Sequence, residues 1–268
     1  MSAADSGASM HEVAIASRSE VGARSRNEDY VQFGAVESGW YAVLADGAGG
    51  HRNGAIASDL VVRIAAHELR SRAAKEALQP QALAEIALAA NDALNRQQDG
   101  LHGHHRMHAT LVILWIDGAL QHALWSHVGD SRLYVLRRGR VDHVTRDDSV
   151  VQSMVDAGLL APEQARDHPN RNQLIAALGS DEPLEPHICD VAFPIRDGDA
   201  FLLCSDGWYD LLAVADIEAT LARAASAEDW LSAMQHFVQQ RQRSNQDNFS
   251  AIAVWIGDPA ENTRVGNL

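Results

Sequence analysis

Residues 109–145 hold four β-like runs in one stretch, and the joints between them are too short for anything but hairpins. ATLVILWID (Ala109–Asp117) and LQHALWSHVG (Leu120–Gly129) are separated by a glycine turn. RLYVLRRGRVDHVT (Arg132–Thr145) turns back on itself at Arg138-Gly139. Strands joined this closely must run antiparallel, since a parallel crossover needs about a dozen residues or more. The rest of the chain fits the same plan. VAIAS (Val13–Ser17), YVQFG (Tyr30–Gly34) and WYAVLA (Trp40–Ala45) read as strands, as do His187–Phe193, Ala200–Cys204 and Phe249–Ile256. Helices are expected in pairs. Ala55–Ala74, with Ile56, Leu60, Ile64 and His67–Leu69 at helical spacing, precedes Gln81–Arg96, which follows Pro80. Ser149–Ala157 and Pro162–Arg166 are short helices around Gly158, and Asp216–Ala224 precedes Ala227–Arg243. Paired strands and paired helices mark an α+β fold with antiparallel sheets packed face to face and helices outside.

Composition narrows the function. At 268 residues the chain is long enough for a substantial core. A net charge of -14 argues against general affinity for nucleic acid or an anionic membrane, both of which need basic patches. Lys75 is the one lysine, so the positive charge is almost all arginine. Cys189 and Cys204 form no metal-ligand spacing and no disulfide framework, which fits a reducing compartment. The first residues, MSAADSGASMHE, lack a signal-peptide pattern, and no apolar run approaches the ~18 residues of a membrane span. A cytoplasmic protein is expected. Residues 1–11 and 258–268 are expected to be flexible ends around one domain, 12–257.

Five places bring a carboxylate to the junction of a strand and a loop. They are RSRNEDY (Arg24–Tyr30), LADGAGGH (Leu44–His51), VGDSRLYVL (Val128–Leu136), CSDGWYD (Cys204–Asp210) and NQDNFSAIAV (Asn245–Val254). Any one of these is more often a turn or a cap. Strand ends are rigid, however, and carboxylates gathered there repel unless a cation joins them. Hard divalent cations take oxygen ligands of this kind. No HExxH and no zinc spacing of Cys and His is present. Two metals about 3.5–4 Å apart lower the pKa of a bridging water and clamp an in-line displacement at phosphorus, so no Ser or Cys nucleophile is needed. The Cys-x5-Arg loop of cysteine phosphatases is absent. Arg24 offers a fork that can grip two phosphate oxygens.

In this order the motifs resemble the metal-dependent PPM family of protein serine/threonine phosphatases, also called PP2C, and its bacterial members in particular. The matching residues are Arg24-Ser-Arg-Asn-Glu-Asp29, then Ala45-Asp-Gly-Ala-Gly-Gly-His51 with Gly54 and Ala57-Ser58, and Val128-Gly-Asp-Ser-Arg132. Ser205-Asp-Gly-Trp-Tyr-Asp210 and Asp247-Asn-Phe-Ser250 complete the set, with His168-Pro-Asn-Arg-Asn172 and Ala177-Leu-Gly179 in a flap region. The resemblance spans about residues 12–257. It implies a four-layer αββα sandwich, two antiparallel sheets flanked by helix pairs. It also implies a centre of two Mn2+ or Mg2+ ions. By motif position Asp46 is the bridging ligand, Gly47 offers its carbonyl, and Asp206 and Asp247 bind the second metal. Asp29 holds metal-bound water, with Glu28 beside it. Asp130, with Asp206 and Asp210, is the site of a weaker third metal.

The chain departs from the pattern in places. Ala48 follows Asp-Gly where relatives carry His or Met, and alanine cannot transfer a proton. Protonation of the leaving alcohol then falls to water or to another residue. His51 is expected to be structural. Arg106-Met-His-Ala-Thr110 replaces a usual Gly-Thr pair. Asp147-Asp148-Ser149 puts a second carboxylate near the expected substrate entrance, where it would disfavour acidic phosphopeptides. His102, His104, His105 and His108 look like a metal tract but fall where an exposed loop is expected. The leading reading is an enzyme hydrolysing phosphoserine or phosphothreonine through a water bridging two metals. The alternatives are a catalytically dead phosphoprotein-binding relative, a hydrolase of small phosphate esters, and a calcium-binding structural domain. Free-standing bacterial relatives commonly reverse a Ser/Thr kinase. Some oppose a kinase acting on a forkhead-associated (FHA) domain protein in type VI secretion control. A monomer is expected, with phosphoproteins, a kinase and its FHA-domain or other targets as partners.

Overall fold

In the computed structural model, residues 11–48, 53–101 and 105–258 are described. The expected flexible ends, save His11 and Asp258, lie outside these residues, as do His51 and His102 and His104 of the histidine tract. Among the described residues, twelve strands form two antiparallel sheets. One sheet contains β1 (Val13–Glu20), β12 (Phe249–Ile256), β11 (Ala200–Cys204), β7 (Arg132–Arg137) and β8 (Arg140–Val144), in that order. The other runs β10 (Phe193–Pro194), β6 (His122–Val128), β5 (Leu111–Asp117), β3 (Gly39–Ala48) and β2 (Asp29–Val36). The two-residue strands β4 (His108–Ala109) and β9 (His187–Ile188) pair with β3 and β6.

Alternation along the strands sorts side chains into two cores. On β11, Phe201 and Leu203 point between the sheets, and Ala200, Leu202 and Cys204 point at helices. On β12, Ile252, Val254 and Ile256 face the sheet partner, while Phe249, Ala251, Ala253 and Trp255 face outward. Both faces are covered, so these strands read as unbroken apolar runs. Helices α1 (Asn53–Ala73) and α2 (Pro80–Gln97) cover the larger sheet. Helices α6 (Val214–Leu221) and α7 (Ala227–Gln240) cover the smaller one, with Trp230 and Trp255 fully buried edge to face. The four-layer αββα sandwich is as expected. Short helices α3 (Val150–Asp156) and α4 (Pro162–Ala165) lie in the segment after β8. No helix among the described residues is long and apolar enough to cross a membrane.

Three expectations need correction. On α1, Ile56 does not join the core: it is exposed, while Leu60 and Ile64 are half-buried at the core's edge and Leu69 is fully buried. The helix packs through Gly54, Ala57, Ser58, Val61, Val62, Ala65, Ala66 and Leu69. The single strand expected over 109–117 is interrupted at Thr110, whose N–H turns to the Asp46 carbonyl at 2.8 Å. The strand expected over 187–193 is two short pairings with β6, separated by a loop with Asp190 and Val191 exposed.

Candidate metal centre and catalytic cleft

Antiparallel pairing gathers the carboxylates at one end of the sandwich. Asp29 opens β2 and is the register partner of Asp46, near the end of β3. Asp130 sits in the turn from β6 to β7, and Asp247 lies two residues before β12. Asp206 follows β11 at the start of a one-turn helix, α5 (Asp206–Tyr209), which the sequence reading missed. A cleft of about 280 Å³ is lined by Asp46, Asp130, Asp206 and Asp247 together with Arg24, Glu28, Gly47, His108, Thr110 and Asn172. Asp29 is buried beneath it, 6% exposed.

The backbone around these groups is tightly tied. Gly47 N–H donates to the Glu28 carbonyl at 3.0 Å, and Glu28 N–H donates to Asn248 Oδ1 at 2.8 Å. Asn248 Nδ2 donates in turn to the carbonyls of Val21 and Arg26. Gly47 must be glycine for space, because a Cβ there would lie 2.0 Å from the Gly54 carbonyl oxygen. Gly129 combines φ +93° with close contact to Thr110, where a Cβ would lie 2.7 Å from Cγ2. Thr110 Oγ1 accepts from Asp46 N–H at 2.9 Å and is bonded to Ser131 Oγ at 2.7 Å. Ser205 Oγ–H donates to Asp29 Oδ2 at 2.8 Å, and Ser250 N–H donates to Ser205 Oγ at 3.0 Å. Ser205, Thr110 and Asn248 hold the site in shape but carry no charge, so charge-based reading of the sequence could not rank them.

The electrostatics are those of a site built for cations. Burial and then the repulsion of Asp29 and Asp206 hold the Asp46 carboxyl well above the usual range. Burial and then Asp130 do the same to Asp206. Burial pushes Asp29 up to about 6 and Asp130 up to about 7. Glu28 is raised by burial, against the opposing charge of Arg24. Asp29 Oδ1 and Asp206 Oδ1 are buried and without a hydrogen-bond partner among the described atoms. Unpartnered buried carboxylate oxygens are costly, and they suit a hard divalent cation. No three His, Cys, Asp or Glu side chains among the described residues form a ready-made cage for one ion. A centre here would rely on the Gly47 carbonyl and on water as well, as magnesium-type sites do.

The remaining site residues fall around this cluster. Arg24 lies at the cleft, and its Nη2 donates to Asp247 Oδ2 at 2.6 Å. Asp210 lines an adjoining pocket with Asp206, Arg24 and Arg171. It pairs with Arg171 of the segment after β8 at 3.1 Å, and its carbonyl accepts from Arg166. The pair Asp147-Asp148 does not present free charge at the entrance, contrary to expectation. Asp147 is held bidentate by Arg132 at 2.8 and 2.7 Å. Asp148 is 8% exposed, accepts from Gly129 N–H at 2.9 Å and pairs with His187 at 2.8 Å. Both carboxylates brace the segment after β8 instead of facing a substrate. Of the histidine tract, His105 is exposed while His108 lies apart from it on β4, facing the cleft. Arg106 lies behind, donating to the Gly179 carbonyl at 2.6 Å and pairing with Asp181.

Comparison with known proteins gives a consistent picture. A family model described as "Protein phosphatase 2C" matches residues 17–252. The chain is 37% identical over 196 residues to the serine/threonine protein phosphatase PstP of Mycobacterium tuberculosis, covering 73% of this chain and 36% of that protein. It thus spans about a third of that relative's length. Protein phosphatase PhpP of Streptococcus pneumoniae is 30% identical over 200 residues, covering 72% of this chain and 78% of that protein. The catalytic domain of PstP in complex with two manganese ions superposes with a TM-score of 0.75 at 30% identity, covering 92% of this chain and 99% of that one.

Proposed function

The chain belongs to the protein phosphatase 2C family, and from that premise we propose that it is a metal-dependent phosphatase hydrolysing phosphoserine and phosphothreonine in proteins. The observation that carries this reading is the convergence of Asp29, Asp46, Asp130, Asp206 and Asp247 at one sheet end, with buried, unpartnered oxygens on Asp29 and Asp206. The manganese of the PstP catalytic domain makes Mn2+ the first candidate metal, with Mg2+ the alternative.

Asp46, the Gly47 carbonyl, Asp206 and Asp247 would hold the two ions. Asp29 and Glu28 would hold coordinated water. Asp130, Asp206 and Asp210 would form a weaker third site once Asp210 is released from Arg171. When bound, the ions supply Lewis acidity, lowering the pKa of a bridging water and balancing charge on the phosphoryl group. The protein's own residues do the rest. Cations lower the raised carboxylate pKa values, so the cluster is fully ionised when loaded. The Ser250–Ser205–Asp29 chain fixes one face of Asp29 and leaves the other oxygen for a ligand. Arg24 leaves Asp247 and grips two oxygens of the phosphate, fixing it for in-line displacement. The walls of the cleft are strand ends, so this geometry exists before substrate arrives.

The physiological reading is an enzyme that reverses a Ser/Thr kinase, with phosphoproteins such as FHA-domain targets as substrates, acting as a monomer in the cytoplasm. The test is hydrolysis of a phosphothreonine peptide with Mn2+, with Mg2+ and with chelator, for wild type and Asp46→Asn. Metal-dependent turnover that vanishes in the variant supports the reading. Absence of turnover by folded, metal-loaded wild type refutes it.

A further inference from the structure

We propose that His108 is a catalytic residue of this site, giving the proton that the serine or threonine oxygen needs as its bond to phosphorus breaks. The proposal rests on the phosphatase reading above and adds a residue that reading does not use.

Position comes first. His108 is the register partner of Ala48, and Gly47 is the partner of Ala109. Directly opposed residues of an antiparallel pair point to the same face, as do residues two apart on one strand. Asp46, Ala48 and His108 therefore share one face, with the His108 rung about 7 Å along the strand from Asp46. Because Ala48 stops at Cβ, nothing on that rung screens the imidazole from the cleft. Ala48 and His108 line the same 280 Å³ cleft as Arg24, Asp46, Asp206 and Asp247.

Chemistry then removes the competitors. An alkoxide is a poor leaving group and needs a proton in the transition state. Arg24 holds its proton too tightly to donate it. Asp46, Asp130, Asp206 and Asp247 act as acceptors only when ionised, as a metal centre requires. Glu28 precedes β2 with its Oε2 turned to Gly54, where a Cβ would lie 2.7 Å away, whereas His108 is on β4, which pairs with β3 at Gly47 and Ala48. Among the described residues, His108 is the one imidazole lining the cleft.

The Leu178 carbonyl acts on the ring in favour of its protonated form, and the same ring lines the cleft. Burial, then Arg106, hold the ring toward its neutral form, against Leu178 and Asp181. A phosphorylated substrate brings about two negative charges to the face of the ring and favours the imidazolium. The proton thus arrives together with the substrate. In the step itself, the attacking oxygen bonds to phosphorus as the phosphorus–alkoxide bond breaks. The electron pair goes to the serine or threonine oxygen, that oxygen takes the imidazolium proton, and neutral His108 regains a proton from solvent.

The experiment compares two substrates. A phosphothreonine peptide leaves as an alkoxide, whereas p-nitrophenyl phosphate leaves as a stabilised phenolate that needs no proton. His108→Gln retains an amide able to donate to Leu178. The variant should lose about 100–1000-fold in kcat on the peptide and change less than about 3-fold on the aryl ester. In wild type, kcat on the peptide should fall at high pH along a limb that the aryl ester lacks. An equal loss on both substrates, or no loss on the peptide, overturns the assignment. If His108→Gln does not fold, identical high-pH limbs for the two substrates in wild type overturn it. Failure of wild type on both substrates would instead refute the phosphatase reading.

Discussion

Stripped of metal, the protein should lose stability as pH rises from about 5 to about 7.5, and Asp130→Asn should relieve part of that loss. Asp130 is 8% exposed, and burial pushes its carboxyl from 3.8 up to about 7. In the unfolded chain the same group titrates near its ordinary value. Between those two pKa values the native state holds a proton that the unfolded state has released, so stability falls as pH rises and levels off above about 7. Each pH unit in that interval costs about 1.4 kcal/mol, so Asp130 alone accounts for about 2–3 kcal/mol between pH 5 and pH 7.5. Asn carries no such cost. At about 2–4 °C per kcal/mol, the melting temperature of Asp130→Asn relative to wild type should rise by roughly 5–10 °C over this range. His108 and His127, held neutral mainly by burial, push the other way below about pH 6.5, but both proteins share them and the difference cancels. The assay is thermal melting with chelator at both pH values, repeated with saturating Mn2+. Added cation should abolish the pH-dependent gap, since it supplies the countercharge that Asn makes unnecessary. A gap that stays within about 1 °C from pH 5 to pH 7.5 in chelator refutes the picture of Asp130 as a strained buried acid.

Three further outcomes are expected. Arg24→Ala should lower kcat/KM on a phosphothreonine peptide by about 10–100-fold, the worth of a charge-assisted bidentate contact, with Mn2+ affinity by calorimetry unchanged or raised, because Asp247 is freed. Gly47→Ala should melt earlier by several degrees, because a Cβ 2.0 Å from the Gly54 carbonyl forces β3 and α1 apart at a cost of about 1–3 kcal/mol; an unchanged melting curve contradicts this. Ser205→Ala removes the hydroxyl donor to Asp29, so Asp29 should bind its proton more tightly and Mn2+ affinity at neutral pH should fall, by about 1–3 kcal/mol; calorimetry reads it directly.

Much of the fold was legible because hairpin joints and paired helices leave few topologies. Where the reading slipped, size was mistaken for burial. On α1 the large residue Ile56 suggested the core stripe, yet it is exposed, and the buried face runs through Ala57, Val61 and Ala65 with Leu60 and Ile64 half-buried beside it. The break at Thr110 was invisible because it comes from a tertiary bond to Asp46, not from a local turn residue. In the site, the acidic residues announced themselves by chemistry. Asp148 misled, since its charge is spent on Gly129 and His187. His108 was masked in the sequence by the company of His102, His104 and His105, and it is the pairing of β3 with β4 that sets it at the cleft.

The site itself is a consequence of antiparallel order. In such sheets the starts of some strands share an edge with the ends of their neighbours. Here that edge collects the start of β2, the end of β3, the β6–β7 turn, the end of β11 and the approach to β12. Asp29, Asp46, Asp130, Asp206 and Asp247 therefore meet although up to 218 residues separate them (247 minus 29). A metal motif contained in one loop can hold its ligands without a core behind it. Carboxylates drawn from separate strands cannot, because each is placed only as well as its strand is. That is why β11 and β12 are buried on both faces, and why the repulsion among the acids is borne by the whole sandwich. Loosening the helix layer at Trp230 should accordingly weaken metal binding at the far strand ends, without touching a single ligand.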